Sequence, residues 1–236
     1  MKTVALFAMA VVVALSQPVE RVLPFTQLQT AQEFAEAATV IRSTGEIREL
    51  RVDAAQKTLI VRGERAQVEL AEWLMARVDR TTAPAKAREE YPAGGGGDTV
   101  VRVLYFQKAA TAQARNEMAT MIRSLLEVRS LFVSMAAGAL VLRCSPGQAD
   151  GAEWVFAALE GTGESGSYRM AGGGDDMLRL LAVANGGTVE EFYRKATSVR
   201  AALQLRHLFT YTPGRVVAVR GTEELTGRAA EMLSAR

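Results

Sequence analysis

The chain has 236 residues, of which 49% are hydrophobic and 23% are charged, so its composition is that of a globular protein rather than a disordered one. Its 28 Lys and Arg residues nearly balance 26 Asp and Glu, and a formal net charge of +2 is too small to indicate a nucleic-acid or membrane partner. A single cysteine, Cys144, excludes an intramolecular disulfide and every multi-cysteine metal site, and a single histidine, His207, excludes histidine-rich metal sites. No cofactor is therefore expected.

Residues 1–16 have the pattern of a secretory signal peptide. Lys2 gives a positive start, residues 3–15 are uncharged and mostly apolar, and the small residues Ala14 and Ser16 fit a peptidase site with cleavage after Ser16. The apolar run is shorter than the roughly 20 residues that span a bilayer, so an uncleaved anchor is the alternative. Cleavage would leave a periplasmic or secreted protein with no stable membrane span, in which Cys144 is expected to be a buried, small apolar side chain.

The rest of the chain contains three copies of one sequence module. Thr39-Val-Ile-Arg42 aligns with Thr120-Met-Ile-Arg123 and Thr197-Ser-Val-Arg200, at offsets of 81 and then 77 residues, and the alignment continues without a gap. At least eight positions carry the same residue in all three copies, where chance would give about one. We therefore divide the chain into a signal peptide at 1–16, module 1 at 22–80, a Pro/Gly linker at 81–99, module 2 at 100–160, a Gly-rich linker at 161–176 and module 3 at 177–236.

The two linkers are rich in glycine, with runs at 94–97 and 172–174. Glycine runs also occur in phosphate-binding loops, but neither run has a Gly-Lys-Ser/Thr ending or a Gly-x-Gly-x-x-Gly pattern between a strand and a helix. Their composition is that of flexible connections rather than packed structure. We therefore predict that both segments are flexible linkers.

Each copy begins with a predicted strand and helix. Apolar runs at 100–106 and 178–183 predict the first strand of modules 2 and 3, whereas Pro24 weakens this pattern in module 1. The helix that follows begins at a threonine whose hydroxyl accepts a free backbone N–H, and a glutamate three residues later completes the capping box. The capping residues are Thr30 with Glu33, Thr188 with Glu191, and Thr111 alone.

A hairpin and a second helix complete each copy. The predicted turns lie at 54–57, 136–138 and 212–214, each between two short alternating segments. After each hairpin, apolar residues recur at helical spacing. The order β-α-β-β-α predicts an α+β fold of three tandem modules, each with two helices on one face of a small three-stranded sheet.

The alternation along the last strand predicts which side chains face away from the helices. In module 1, Leu59 and Val61 face the core, so Ile60 and Arg62 lie on the opposite face. Together with residues of the neighbouring strand, the outward arginines form a partly basic, partly aromatic face that we predict to be a protein-docking or module-packing surface. Its members are Arg62, Arg143, Arg220, Arg51, Phe132 and Phe209. The alternative is that these arginines cap helix ends or form solvated pairs, each worth at most about 1 kcal/mol.

Other repeated or rare side chains have simpler interpretations. Arg42 and Arg48 flank the turn between helix and strand, where we expect bonds to the last helical carbonyls. Trp73 and Trp154 occupy equivalent places, and helix packing explains them better than a sugar-binding platform. His207 has no second metal ligand or catalytic partner beside it and is expected to be an ordinary surface or edge residue.

The sequence from Phe25 to Asp79 resembles the short periplasmic N-domains of secretins, the outer-membrane channels of type II and type III secretion and of type IV pili. The most characteristic part is the hairpin strand Lys57-Thr-Leu-Ile-Val-Arg-Gly63 and the amphipathic helix that ends at Asp79. Module 3 keeps Val216-Val-Ala-Val-Arg-Gly221, while module 2 has Cys144 and Glu160 in place of the glycine and the aspartate. The resemblance implies a ring-building module or a scaffold that docks on its neighbours, and it supplies no catalytic residues. A secretin also needs a C-terminal channel domain, so this chain is not expected to be a pore itself.

Two other functional classes have less support. The same element order occurs in KH domains, but no copy has the Gly-x-x-Gly loop that clamps a nucleic-acid backbone, so no nucleic-acid partner is expected. An enzyme is not expected either. The serine residues have only one histidine as a possible catalytic base, and no pair of acidic residues recurs at equivalent places in the three copies.

The sequence therefore predicts a non-enzymatic, exported scaffold or adaptor. Its partner would be an envelope protein, either a secretin or another copy of the chain, and tandem modules would strengthen binding by avidity. The alternative is a soluble accessory protein with no role in assembly. Flexible linkers would favour the first function, and a large interface between the modules would favour the second.

Overall fold

Module 1 has the three strands and two helices that the sequence predicts. The computed structural model describes residues 17–94, 97–161, 166–171, 175–183 and 187–234, so the predicted signal peptide lies outside the described residues. The elements of module 1 are β1 (Val19–Pro24), α1 (Ala31–Gly45), β2 (Glu49–Asp53), β3 (Thr58–Gly63) and α2 (Arg65–Val78). The strands form an antiparallel sheet in the order β1-β3-β2.

Modules 2 and 3 repeat this plan with one strand more. Module 2 comprises β4 (Arg88–Pro92), β5 (Val100–Tyr105), α3 (Ala112–Leu126), β6 (Ser130–Ser134), β7 (Ala139–Cys144) and α4 (Pro146–Leu159). Module 3 comprises β8 (Ser167–Arg169), β9 (Met177–Ala182), α5 (Val189–Leu203), β10 (His207–Tyr211), β11 (Val216–Gly221) and α6 (Glu223–Ser234). The sheet orders are β4-β5-β7-β6 and β10-β11-β9-β8. The predicted α+β class is thus confirmed, with three strands in the first sheet and four in each of the others.

The extra strands correct the prediction that the connecting segments are unpacked linkers. β4 lies within the predicted Pro/Gly linker and pairs with β5 from Arg88 opposite Leu104 to Pro92 opposite Val100. β8 lies within the predicted Gly-rich linker and pairs with β9. Both strands are short edge strands next to glycine-rich residues, so composition alone hides them, and pairing to an apolar neighbour supplies the backbone partners that they need.

Local signals in the sequence position the helices. The capping boxes at Thr30 and Thr188 are present, and Thr111 accepts the N–H of Ala114, as predicted. Arg42 differs from its prediction, because its Nη2 donates to the carbonyl of Leu50 in β2 at 2.6 Å. The same bond recurs from Arg123 to Leu131 and from Arg200 to Leu208. This arginine therefore ties the first helix to the following strand instead of capping the helix, and the role of Arg48 stays a prediction.

A carboxylate at the end of the second helix holds the loop that precedes the first helix. Asp79 accepts the N–H groups of Thr26, Gln27 and Leu28 and the hydroxyl of Thr26, at 2.6 to 3.1 Å. Burial by itself would raise the pKa of Asp79, but these hydrogen bonds outweigh it and hold the pKa below the usual 3.8. Glu160 accepts three N–H groups of the equivalent loop in module 2.

Replacing Asp79 by asparagine is expected to lower the free energy of unfolding by about 2 kcal/mol near neutral pH, because charge-assisted bonds to backbone N–H groups are lost. A carboxylate whose pKa is depressed on folding contributes stability that is present above the unfolded pKa, near 4, and is lost as the pH falls through the folded pKa. The deficit of Asp79→Asn should therefore shrink below about pH 4. Urea denaturation at several pH values measures this effect, with Glu72→Gln as an exposed control, and a deficit independent of pH would contradict it.

The helices of modules 1 and 2 are covered on both sides by sheets. One core joins α1 and α2 residues such as Phe34 and Leu74 to Val101 and Val141 on the far face of the second sheet. A second core joins α3 and α4 to Leu178 and Ala218 of the third sheet in the same way. The three modules therefore form one stack of alternating sheets and helix layers, and this packing contradicts the prediction of modules joined by flexible connections. No helix among the described residues is long and apolar enough to cross a membrane.

Candidate protein-docking surface

The predicted arginines of modules 2 and 3 lie at the junctions between modules. Arg143 Nη1 donates to the carbonyl of Thr44 at 3.1 Å, and Arg220 Nη1 donates to the carbonyl of Leu125 at 2.7 Å. Thr44 and Leu125 occupy equivalent positions near the ends of α1 and α3, where helical carbonyls have no partner within the helix. Each arginine therefore caps the first helix of the preceding module. This contact agrees with the module-packing interpretation and also with the alternative that the arginines cap helix ends.

A glutamate on the same helix holds the hairpin of the following module. Glu36 Oε1 accepts the N–H of Met135 at 2.7 Å and the hydroxyl of Ser134 at 3.1 Å. One junction further on, Glu117 Oε2 accepts the N–H of Thr212 at 2.8 Å. Since Glu117 is the repeat equivalent of Glu36, and Thr212 that of Met135, the two junctions share one register.

An aromatic pair completes each junction. Trp73 of α2 lies 5.3 Å from Tyr91 of β4 between ring centroids, and Trp154 of α4 lies 5.5 Å from Tyr168 of β8. The strands β4 and β8 thus carry the tyrosines on which the tryptophans of the preceding module pack. The predicted packing role of the two tryptophans holds, but the partner is a strand of the next module.

Charged groups are also partly buried at the first junction. Arg77 Nη2 donates to Glu89 Oε2 at 2.6 Å, and its guanidinium lies 3.9 Å from the ring centroid of Trp73. Burial would raise the pKa of Glu89, but the bond to Arg77 and its charge outweigh burial and lower that pKa. Burial and the charge of Glu89 raise the pKa of Tyr105 to about 12. The junction therefore keeps an ionised pair and a neutral phenol over the physiological pH range.

Four of the six residues predicted for the exposed face are consequently covered, wholly or in part, by the preceding module. Arg143 is buried at the first junction, and Phe132 packs against the core shared by modules 1 and 2. Arg220 is bound to Asp176 at 2.7 Å as well as to the preceding helix, and Phe209 packs against the second shared core. The expectation of exposure is corrected for these four, because the preceding helix layer covers the sheet faces that carry them.

His207 lies on β10, an edge strand of the third sheet, as one alternative of its prediction as a surface or edge residue has it. Its Nδ1 lies 3.2 Å from the carbonyl of Ser124, and its Nε2 lies 3.9 Å from Glu127, so it belongs to the second junction. The only signal in the sequence for this contact is the position of His207 at the start of β10, the strand that follows α5. Cys144 is buried as predicted, and burial raises the pKa of its thiol to about 12.

The first sheet lacks a covering helix layer among the described residues. We call the side of this sheet opposite α1 and α2 the open face; the strand registers place Glu20, Val22, Glu49, Arg51, Asp53, Ile60 and Arg62 on it. Val22 is 55% exposed, and the Arg62 side chain is 50% exposed, with an ion pair of 3.6 Å to Glu49. Of the predicted interface residues, Arg51 and Arg62 are therefore the two that the structure leaves accessible.

Sequence reasoning missed the acidic half of each junction. Glu36 and Glu117 occupy the same repeat position, so a comparison of the first two copies could have found them. The third copy has Arg194 at this position, and a search for residues identical in all three copies therefore misses them. Within the described ranges, no group of three or more His, Cys, Asp and Glu side chains is arranged to hold a metal ion.

Neither a family model nor a curated protein matches the chain. Among solved structures it is similar to ExeD of Aeromonas hydrophila, with 12% identity, a TM-score of 0.22, and coverage of 92% of this chain and 40% of that one. It is also similar to a pilotin–secretin complex, AspS–GspD, from ETEC (15% identity, TM-score 0.22, coverage of 93% and 38%). A third similar structure is the type II secretion system secretin GspD of E. coli K12 (8% identity, TM-score 0.22, coverage of 92% and 38%). The chain thus spans about two-fifths of the length of these structures.

Proposed function

We propose that this chain is an exported, non-enzymatic scaffold that acts through protein–protein contacts in the cell envelope, in association with a secretin system of protein secretion or type IV pili. The observation that carries the proposal is the open face. Within one chain, the equivalent faces of the second and third sheets are each covered by the helix layer of the preceding module. The face of the first sheet is left accessible, and it carries Arg62 at the position of Arg143 and Arg220. A surface that binds helices twice in the same molecule is suited to bind a further protein.

The stack gives this face a defined orientation. Because the modules share apolar cores, they present the open face at one end of a single stack instead of binding as three separate units. The earlier expectation of avidity from independent modules is therefore replaced by one terminal docking surface. The association with a secretin system rests on the resemblance of the hairpin strand at 57–63 and the helix ending at Asp79 to secretin N-domains.

Site-specific photocrosslinking in cells tests this function. A photoreactive amino acid at Val22 or Ile60 on the open face is expected to give a crosslinked product that contains a secretin or another envelope protein. Lys86 is exposed in the segment between α2 and β4 and serves as the control position. Equal products from Lys86, or no product from the open face, would overturn the proposal.

A second candidate is a soluble accessory protein with no assembly role. The extensive packing between modules favours it, since the repeats then serve to stabilise one another. In that case Arg62→Glu and Val22→Glu should leave secretion or pilus formation unchanged in the producing cell. A loss of either activity with unchanged protein level would exclude this candidate.

A further inference from the structure

The helix layer at the other end of the stack carries a positive charge at two positions where the inner layers have none. Arg194 of α5 stands where Glu36 and Glu117 stand in the first two modules, and its side chain is 70% exposed. Arg228 of α6 is also exposed, and it occupies the position of Leu70 and Gly151. Two positions that face the next sheet in modules 1 and 2 are therefore arginine in module 3.

The open face carries the complementary changes. Asp53 stands where Ser134 and Tyr211 stand in the covered sheets. Glu20 stands where Val101 and Leu178 stand. Both acidic residues thus replace uncharged residues that face a helix layer in modules 2 and 3.

The inner junctions show which of these positions meet. Glu36 accepts a hydrogen bond from the hydroxyl of Ser134 at 3.1 Å. In a junction between two copies, the equivalent contact would join Arg194 of one copy to Asp53 of the other. A Cβ placed on Gly151 would lie 3.6 Å from Leu178 Cδ1, which is the contact equivalent to Arg228 with Glu20. A junction of the same geometry between the two ends of the stack would therefore place two pairs of opposite charge in contact.

Of the remaining contacts of the inner junctions, one would be kept and two lost. Arg194 has no acceptor for the backbone N–H that Glu36 and Glu117 accept from the following module. Arg62 would donate to the backbone carbonyl of Ala202, which is the repeat equivalent of Thr44 and Leu125. Because the acceptor is a backbone group, this bond is retained whichever residue occupies the position. The aromatic pair would be absent, because Glu231 replaces the two tryptophans. The junction would thus rest more on charge pairs than the inner ones do, which makes it weaker and sensitive to salt.

We propose that the open face binds the α5 and α6 surface of a second copy of the chain, head to tail, in the register that joins the modules within one chain. Terminal repeats of stacked proteins usually carry a polar outer face that stops further stacking. Here the polar faces at the two ends are complementary in sign at both register positions, so they favour association of copies. A head-to-tail contact uses different surfaces on the two partners and generates either a closed ring or an open filament. The inference rests on the proposed function of the open face as a protein contact and names its partner.

Exchange of the charges between the two ends tests the proposal. Sedimentation velocity of residues 17–236 over a concentration series should show reversible association that weakens with added salt. Arg194→Asp and Asp53→Arg should each weaken association at least about tenfold, since each creates a pair of like charge. The double variant, and an equimolar mixture of the two single variants, should restore it.

Three controls keep the result interpretable. Lys86→Asp changes the net charge by the same amount as Arg194→Asp, but Lys86 lies at neither end of the stack. This variant should therefore associate like the wild type. Circular dichroism melting checks that every variant folds, because Asp53 accepts the N–H of Gln56 at 3.0 Å and Arg194 pairs with Glu190 at 3.3 Å in the wild type. If one variant does not fold, the independent pair Arg228→Glu and Glu20→Arg provides the same test.

A wild-type protein that stays monomeric at every concentration would overturn the inference, and so would a double variant that does not recover association. Neither result would remove the proposed function if Val22 still crosslinks to another envelope protein. Conversely, association of copies without any crosslink in cells would leave the inference standing and count against the proposed function.

Discussion

Replacing Arg143 by alanine is expected to lower the free energy of unfolding by about 2–3 kcal/mol, whereas the same replacement at Arg62 should cost less than about 0.5 kcal/mol. The two arginines occupy the same repeat position on equivalent strands. The Arg143 side chain is 10% exposed and binds the carbonyls of Thr44 and Asp98, while the Arg62 side chain is 50% exposed and pairs with Glu49 of its own sheet. Truncation of Arg143 leaves the Thr44 carbonyl buried without its charged donor, and truncation of Arg62 returns only a solvated pair to water.

Chemical denaturation followed by tryptophan fluorescence measures both variants, because Trp73 and Trp154 lie at the two junctions. Arg220→Ala should resemble Arg143→Ala, since Arg220 caps α3 in the same way. Arg143→Ala should also broaden the transition if module 1 then unfolds separately from the rest of the stack. Equal effects at Arg62 and Arg143 would mean that the arginines act within their own sheets and not between modules.

The strands and helices inside each module were predictable because short-range patterns determine them. The threonine caps, the alternation at 58–63 and the positions of the hairpin turns all appear in the structure where the sequence places them. The sequence also predicts correctly that Arg62, Arg143 and Arg220 point away from their own helices. These are consequences of local geometry and do not depend on what lies beyond the module.

The contacts between modules could not be predicted from the same patterns. An arginine at the same repeat position is buried in module 2 and exposed in module 1, so its identity alone does not indicate what covers it. β4 and β8 were missed because edge strands of five and three residues give little periodic signal beside glycine runs. Positions that differ between copies give a better signal. One such position is glutamate in the two inner helix layers, as Glu36 and Glu117, and arginine in the outer one, as Arg194.

Arg102 is a buried charge of module 2, and its removal should cause the second large loss of stability. Its side chain is 5% exposed and donates to Glu90 at 2.8 Å and to Asp150 and Glu153 at 3.0 Å. Burial would lower the pKa of Arg102, but the bonds to Glu90 and Asp150 and the nearby negative charges outweigh burial and raise that pKa. The guanidinium therefore stays charged and joins β4 and β5 to α4.

Arg102→Met keeps most of the side-chain volume, removes the charge, and is expected to lower the free energy of unfolding by about 2–3 kcal/mol at pH 7. The estimate lies below that for a fully buried pair, because the three carboxylates are 31 to 54% exposed and remain partly solvated. Arg88→Met is the matched control. Arg88 also pairs with Glu153, but its side chain is 55% exposed, so its loss should cost at most about 0.5–1 kcal/mol.

The salt dependence separates the loss of charge balance at Arg102 from a simple packing defect. Without this guanidinium, the three negative charges of Glu90, Asp150 and Glu153 repel one another with less compensation, and added salt screens both this repulsion and the ion pairs of the wild type. The difference in free energy of unfolding between Arg102→Met and wild type should therefore narrow as the ionic strength is raised, as measured by urea denaturation at low salt and at about 1 M salt. A constant difference would show that Arg102 contributes packing and not neutralisation of the three carboxylates.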